Sequence, residues 1–378
     1  MCIRDRSGSF NVPASASFSA DFNTAPTTFT GGTTTFVGSN SIHLSGAGTA
    51  LTVASGETWT GSVTILGPAG LVNNGIITNS SGTNYFYGGG VDGFSFINSG
   101  TVTSLAGLLT LGDSGTDTVT NQPSGTMDAN GGSITFGTSS AAITNLAGNT
   151  LTGGTWEAAN GGTLSFAGTT NAVVTNDATI ILSGAGSAIR TFTGVGPSYQ
   201  SIEQTLVTNN GTLEVLNNRD FPATNGIVNN GTIQLGGGTL TAPSLTNNTG
   251  SVLSGNGTFG PTGGVSVGNG VLVSPGVASA NNYVNAISFS TPGTLGPGGT
   301  YTFDVMNASG TAGTGYDTIN VTGSLTITAT PGTPFTINIE SINPGTGTPG
   351  MANFNDTLPY TCLLYTSRAG ERELHGGF

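Results

Sequence analysis

Few residues in this chain are equipped for chemistry, so each group can be weighed by its spacing. Gly264-Val265-Ser266-Val267-Gly268 has the G-x-S-x-G pattern. That pattern acts only where a strand-to-helix elbow lifts the serine and a histidine serves as its base. No helical pattern follows Gly268, and His43 lies 223 residues before Ser266 by subtraction. The serine therefore reads as a strand residue. His43 alternates with Ile42 and Leu44 and reads as an outward strand residue.

Carboxylates are the next resource. Asp113 and Asp117 bracket a turn and could share a cation, but aspartates commonly make such turns with their own backbone. Ala312-Gly313-Thr314-Gly315-Tyr316-Asp317-Thr318-Ile319 resembles one calcium-binding nonapeptide repeat with its first glycine replaced. Such sites draw oxygens from stacked copies, and here there is a single copy. Glu203 and Glu214 are the carboxylates a glycoside hydrolase would need on one face. Arg190 and Arg219 are the cations a polysaccharide lyase would need beside an acidic sugar. Arg219 is followed by Asp220, which offers it a local partner.

Thr-x-Thr pairs recur at Thr101/Thr103, Thr118/Thr120, Thr150/Thr152 and Thr239/Thr241. A flat ice-binding face needs such pairs in register, and their uneven spacing argues against it. Trp59, Trp156, Tyr85, Phe86 and Tyr87 would make a sugar-stacking platform if exposed, whereas buried aromatic columns are the ordinary outcome. Asn210-Gly211-Thr212 matches a glycosylation acceptor, but its place at a turn suffices to explain it.

The elements that must position these residues are short strands. The stretch from Ile227 to Gly250 contains a Val228-Asn229-Asn230-Gly231 corner, an alternating Thr232-Ile233-Gln234-Leu235 strand and a Gly236–Gly238 corner. A second strand, Thr239-Leu240-Thr241, follows, and the pattern restarts at Leu245. Period-two alternation places Ile233 and Leu235 on one side and Thr232 and Gln234 on the other. Asn-Gly is expected to turn the corner through positive φ. Aligned corner asparagines at 73, 98, 121, 145, 176, 209, 229 and 247 are spaced by 25, 23, 24, 31, 33, 20 and 18 residues, by subtraction. A repeat of this length without helical periodicity predicts a solenoid, with inward aliphatic columns and stacked corner asparagines sharing side-chain hydrogen bonds. A propeller blade would need about 40–45 residues per repeat.

Composition agrees with a folded β protein. Charged residues make up 6% of the 378, where an ordinary domain has about 25%. Disordered chains are normally rich in charge. The formal net charge is −12 and there is no lysine, which disfavours nucleic acid and anionic membranes as partners. No apolar run approaches the roughly 18–20 residues of a membrane helix.

Residues 1–6 and 361–378 hold four of the six arginines, both cysteines and one of the two histidines. They resemble translated sequencing-adapter sequence and are expected to be non-native. Residues 7–290 are expected to form the repeats and residues 291–360 a C-terminal capping region. There Tyr301, Phe303 and Val305, Ile319 and Val321, Leu325 and Ile327, and Phe335, Ile337 and Ile339 alternate densely. They are expected to bury a continuous apolar column, with Ile319 inward and Thr318 outward.

Within residues 269–340, Gly298-Gly299-Thr300-Tyr301-Thr302-Phe303-Asp304-Val305 and Tyr316-Asp317-Thr318-Ile319-Asn320-Val321-Thr322-Gly323-Ser324-Leu325-Thr326-Ile327 carry a resemblance. They look like the last repeats of bacterial autotransporter-type passenger domains, and the Asn-x-Gly-Thr-Ile corners upstream resemble the body of such passengers. The resemblance implies an all-β chain forming a single right-handed parallel β-helix, exported to the cell surface or secreted. It implies adhesion, matrix formation or spacing rather than catalysis. The surface segments 82–93 and 186–204 are the expected contacts for glycans or matrix proteins. No catalytic, cofactor-binding or metal-binding residue is assigned. The rival reading is a polysaccharide-acting lyase or hydrolase on the same fold.

Overall fold

A computed structural model describes residues 10–12, 19–21, 27–44, 50–88, 93–113, 115–137, 142–192, 198–276, 283–343, 346, 348–350 and 353. The expected foreign ends, 1–6 and 361–378, lie outside these residues. The regular structure of the described residues is all β-strand apart from a single-turn helix at Ile202–Thr205. It divides into two compact units, residues 1–205 and 206–378.

In the first unit, strands come in blocks of three, and each block pairs in parallel with the block before it. Gly70–Asn73, Ile76–Asn79 and Thr83–Tyr87 form one block. Ser95–Asn98, Thr101–Ser104 and Leu108–Leu111 form the next, each strand aligned with its counterpart. A third block follows at Thr118–Asn121, Thr126–Asn130 and Ser133–Phe136. Alternation decides which side chains go in. Trp59, Ile77, Val102, Met127, Trp156 and Ile180 are register partners in turn, and all are essentially buried. Phe136 stacks on Phe166 at 5.1 Å and meets Trp156 edge-on at 5.4 Å. Burying each such ring stabilises by about 1.5–3 kcal/mol.

The second unit repeats the scheme. Ile227–Asn229, Thr232–Leu235 and Thr239–Ala242 form a block, as the alternation requires, with Ile233 and Leu235 fully buried. Its strands pair in parallel with those of the blocks on either side. The expected asparagine stack is present in both units. Asn73 donates to Asn98 and Asn98 to Asn121, each Nδ2 to Oδ1 at 2.8 Å. Asn209 donates to Asn229 at 2.9 Å, and Asn229 to Asn247 at 3.2 Å.

Two expectations change. The Asn-Gly corners do not use positive φ: neither Gly100 nor Gly231 lies in that region. Glycine is needed there for close approach between blocks. A Cβ on Gly100 would sit 2.1 Å from the carbonyl oxygen of Gly75, and one on Gly231 2.0 Å from that of Gly211. Nor is the C-terminal apolar column continuously buried. Tyr301 and Val305 are buried, but Ile319, Val321 and Leu325 are only half-buried, and Ile327, Ile337 and Ile339 are 55%, 43% and 56% exposed. The cause is position. Among the described residues, Leu325–Ile327 and Thr336–Ser341 pair on one edge only, so nothing covers their other side.

Candidate functional site

Each chemically promising residue has a definite place. Ser266 lies exposed on the strand Val265–Val267, which runs parallel to Gly293–Leu295 with no helix after it. The elbow that G-x-S-x-G requires is absent at this serine. His43 ends the strand Thr33–His43 and points outward, flanked by buried Ile42 and Leu44.

The aspartates are structural ties. Asp117 is fully buried, and its carboxylate accepts the backbone N–H groups of Gly88 (3.1 Å), Phe94 (3.1 Å) and Asp113 (3.0 Å). Asp317 is equally buried and accepts from Asn285 (2.7 Å) and Asp304 (3.0 Å). The parallel is detailed. Phe94 and Asn285 each immediately precede the strand that pairs with the one following the aspartate. The shared signal is Gly-x-Asp-Thr followed by Val or Ile, at 115–119 and 315–319. The nonapeptide-like sequence thus supplies a clamp whose two oxygens are each held by an amide. Burial first, then its hydrogen bond to Asp117 and the Asp117 charge, push the Asp113 carboxyl up to about 6. Glu57 does a related job, accepting from Gly32 N at 2.9 Å and Thr34 Oγ1 at 2.8 Å.

The cations and glutamates are divided between the two units. Arg190 is exposed, donates from Nε to Ser165 Oγ at 2.9 Å and lies over the Tyr199 ring at 4.5 Å. Arg219 belongs to the other unit and bonds the carbonyl of its neighbour Asp220. Glu203 is buried on the short helix of the first unit, while Glu214 is half-buried on a strand of the second, where burial raises its carboxyl. Among the described residues, no three His, Cys, Asp or Glu side chains gather to hold a metal ion. No helix of the described residues is long and apolar enough to cross a membrane.

The aromatic and loop expectations resolve residue by residue. Trp59, Trp156 and Phe86 are core residues, while Tyr85 is 37% exposed and packs edge-on against Tyr87 at 5.5 Å. The segments 82–93 and 186–204 are not plain loops. They contain the strand Thr83–Tyr87, the antiparallel pair Ala188–Phe192 and Tyr199–Ser201, and part of the helix. Residues 89–92 and 193–197 lie outside the described residues.

The threonines, by contrast, do come together. One outward line of register partners runs Thr33, Thr58, Ile76, Thr101, Thr126, Thr155, Thr179. The parallel line two residues along runs Thr35, Thr60, Thr78, Thr103, Asp128, Glu157, Ile181. Ten of these fourteen positions are threonine. The steps along the first line are 25, 18, 25, 25, 29 and 24 residues by subtraction, so the chain spacing is uneven while the register is kept. Loops and the Gly153-Gly154 bulge, where the register shifts between Thr152 and Thr155, absorb the difference. Of the pairs conspicuous in the sequence, only Thr101/Thr103 belongs to this array.

No protein-family model, curated protein or solved structure matches the chain.

Proposed function

We propose that the chain is a non-catalytic segment of an exported bacterial surface or secreted protein, folded as a single right-handed parallel β-helix of the autotransporter-passenger kind. Its role is adhesion, matrix formation or spacing. The observation that supports this reading is the parallel register kept from block to block in each unit, with buried asparagines bonded in file. Such stacking produces a long outer surface from short repeats, and stability that sums over neighbours. The outer faces carry far more hydroxyls and amides than charged groups, which suits uncharged glycans or matrix proteins.

The test is incubation of the purified chain with pectin, alginate and xylan, with and without calcium, beside retention on immobilised uncharged glycans and on immobilised matrix proteins. Retention without release of unsaturated or reducing ends is expected. Turnover that Arg190→Ala or Arg219→Ala abolishes would replace this reading with the polysaccharide-acting enzyme. Retention on none of the surfaces would remove the adhesive role.

A further inference from the structure

We infer that the outward threonine face of the first unit binds ice, in addition to the surface role proposed above. The array spans five consecutive strands from Thr33/Thr35 to Thr126, with Thr58/Thr60, Thr78 and Thr101/Thr103 between. Parallel pairing spaces neighbouring strands by about 4.8 Å, and alternate residues along a strand by about 6.6 Å. The threonines therefore stand on a two-dimensional lattice about 19 Å deep across the strands. These spacings are of the order of the distances between oxygens on an ice face.

Chemistry and rigidity select the same occupant. An ordinary small ligand is held in a concave pocket with converging polar groups, and this is an open sheet face. A charged polymer would need cations or carboxylates on the face, and none of the outward positions of the patch, from Thr33 to Thr126 on one line and Thr35 to Thr103 on the other, is charged. A water lattice is uncharged and periodic, and can be met by hydroxyls and methyls repeated at fixed intervals. Threonine offers both groups on one β-branched side chain, whose χ1 freedom is small. The one exception inside the patch, Ile76, is 44% exposed and presents methyl groups at the same lattice point. Directly beneath lie Trp59, Ile77, Val102 and Met127, all essentially buried, so the sheet cannot flex away from its template. Many weak contacts can then add, because the ordering of the surface is settled when the chain folds. On the second line the threonines end at Asp128, which is half-buried and pairs in register with Thr103.

The test uses the full chain and measures thermal hysteresis and the shape of a single ice crystal in its presence. Arrested growth and faceting are expected. Thr78→Tyr and Thr101→Tyr, each made alone in the middle of the patch, should abolish both effects while leaving the β circular-dichroism spectrum unchanged. Thr294→Tyr, an outward position in the second unit, should retain them. Because each variant replaces an outward residue, two independent substitutions guard against loss through unfolding. A folded chain without hysteresis, or hysteresis that survives both tyrosines, would overturn the inference. Neither result decides the glycan-retention test above, which reads binding of the parent chain to glycans and matrix proteins and not ice growth.

Discussion

Asp317 accepts the backbone N–H of Asp304 at 3.0 Å while holding that of Asn285 at 2.7 Å, so one buried side chain just before the strand Thr318–Val321 ties in the end of the strand Thr300–Val305 and the entry of Ala286–Phe289. Asp304 in turn pairs in register with Glu340. Three acids thus lie among the C-terminal blocks, Asp317 buried, Asp304 half-buried and Glu340 exposed.

Stability should therefore depend on pH. Burial, opposed by the two amide hydrogen bonds, raises Asp317 to about 8; burial and the Glu340 charge raise Asp304 to about 6. An unfolded aspartate titrates near about 4. The folded state thus holds these protons more tightly, and its advantage is full in acid and lost as pH climbs through about 6 and about 8. The thermal midpoint should fall between about pH 5 and about pH 9. Asp317→Asn should remove the upper part of that fall. A slope unchanged in the variant would assign the dependence elsewhere.

The asparagine file should behave as a buried network. Asn98 accepts from Asn73 and donates to Asn121 Oδ1 at 2.8 Å and to the Thr126 carbonyl at 3.1 Å. Asn98→Ala orphans the Nδ2 of Asn73 at that bond and should cost about 1–3 kcal/mol per group left unsatisfied. Asn230 sits in an exposed file, bonded at 2.6 Å to Asn210 and to Asn248. Asn230→Ala should stay within about 0.5 kcal/mol, as surface substitutions usually do. Equal costs in chemical denaturation would show that burial does not govern the stacks.

Glycine at the corners gives a sharper contrast. Gly100→Ala would place its methyl carbon 2.1 Å from a backbone oxygen that cannot move without shifting the neighbouring block. Overpacking of this kind costs about 1–3 kcal/mol or more. Gly115, with ordinary φ and no atom within 4 Å of its Cβ position, should accept alanine without loss. Matching midpoints for the two variants would mean that the blocks are not in the close contact described.

What the sequence made legible was local. Alternation told Ile233 and Leu235 from Thr232 and Gln234, and the repeated corner asparagines announced a bonded file. Both depend only on the few residues around each corner. The threonine array was hidden because register between blocks is set by pairing, while spacing along the chain is set by loops of varying length. Gly231 was misread because a glycine needed for close approach and one needed for positive φ look alike in one dimension. The clamps were not visible in the sequence, where Asp117 reads as a turn aspartate and Asp317 as part of a single nonapeptide repeat, since their amide partners, Phe94 and Asn285, are distant in the chain.

The C-terminal blocks provide the last test, because alternation there is densest while burial declines. Ile287 is fully buried and is the register partner of half-buried Ile319. Ile337 pairs with Tyr301 on one side and is 43% exposed. An aspartate in place of Ile287 would bury an unpaired carboxylate, which costs several kcal/mol before the lost packing is added. At Ile319 the charge would find partial solvation, so the loss should be smaller. Ile337→Asp should cost little, because its side chain already meets water. Limited proteolysis and thermal midpoints of the three variants should therefore rank Ile287→Asp well below Ile319→Asp, with Ile337→Asp close to the parent chain. If Ile337→Asp proved as damaging as Ile287→Asp, the last strands would have to be covered by a segment beyond the described residues, and the end of the stack would lie further along the chain.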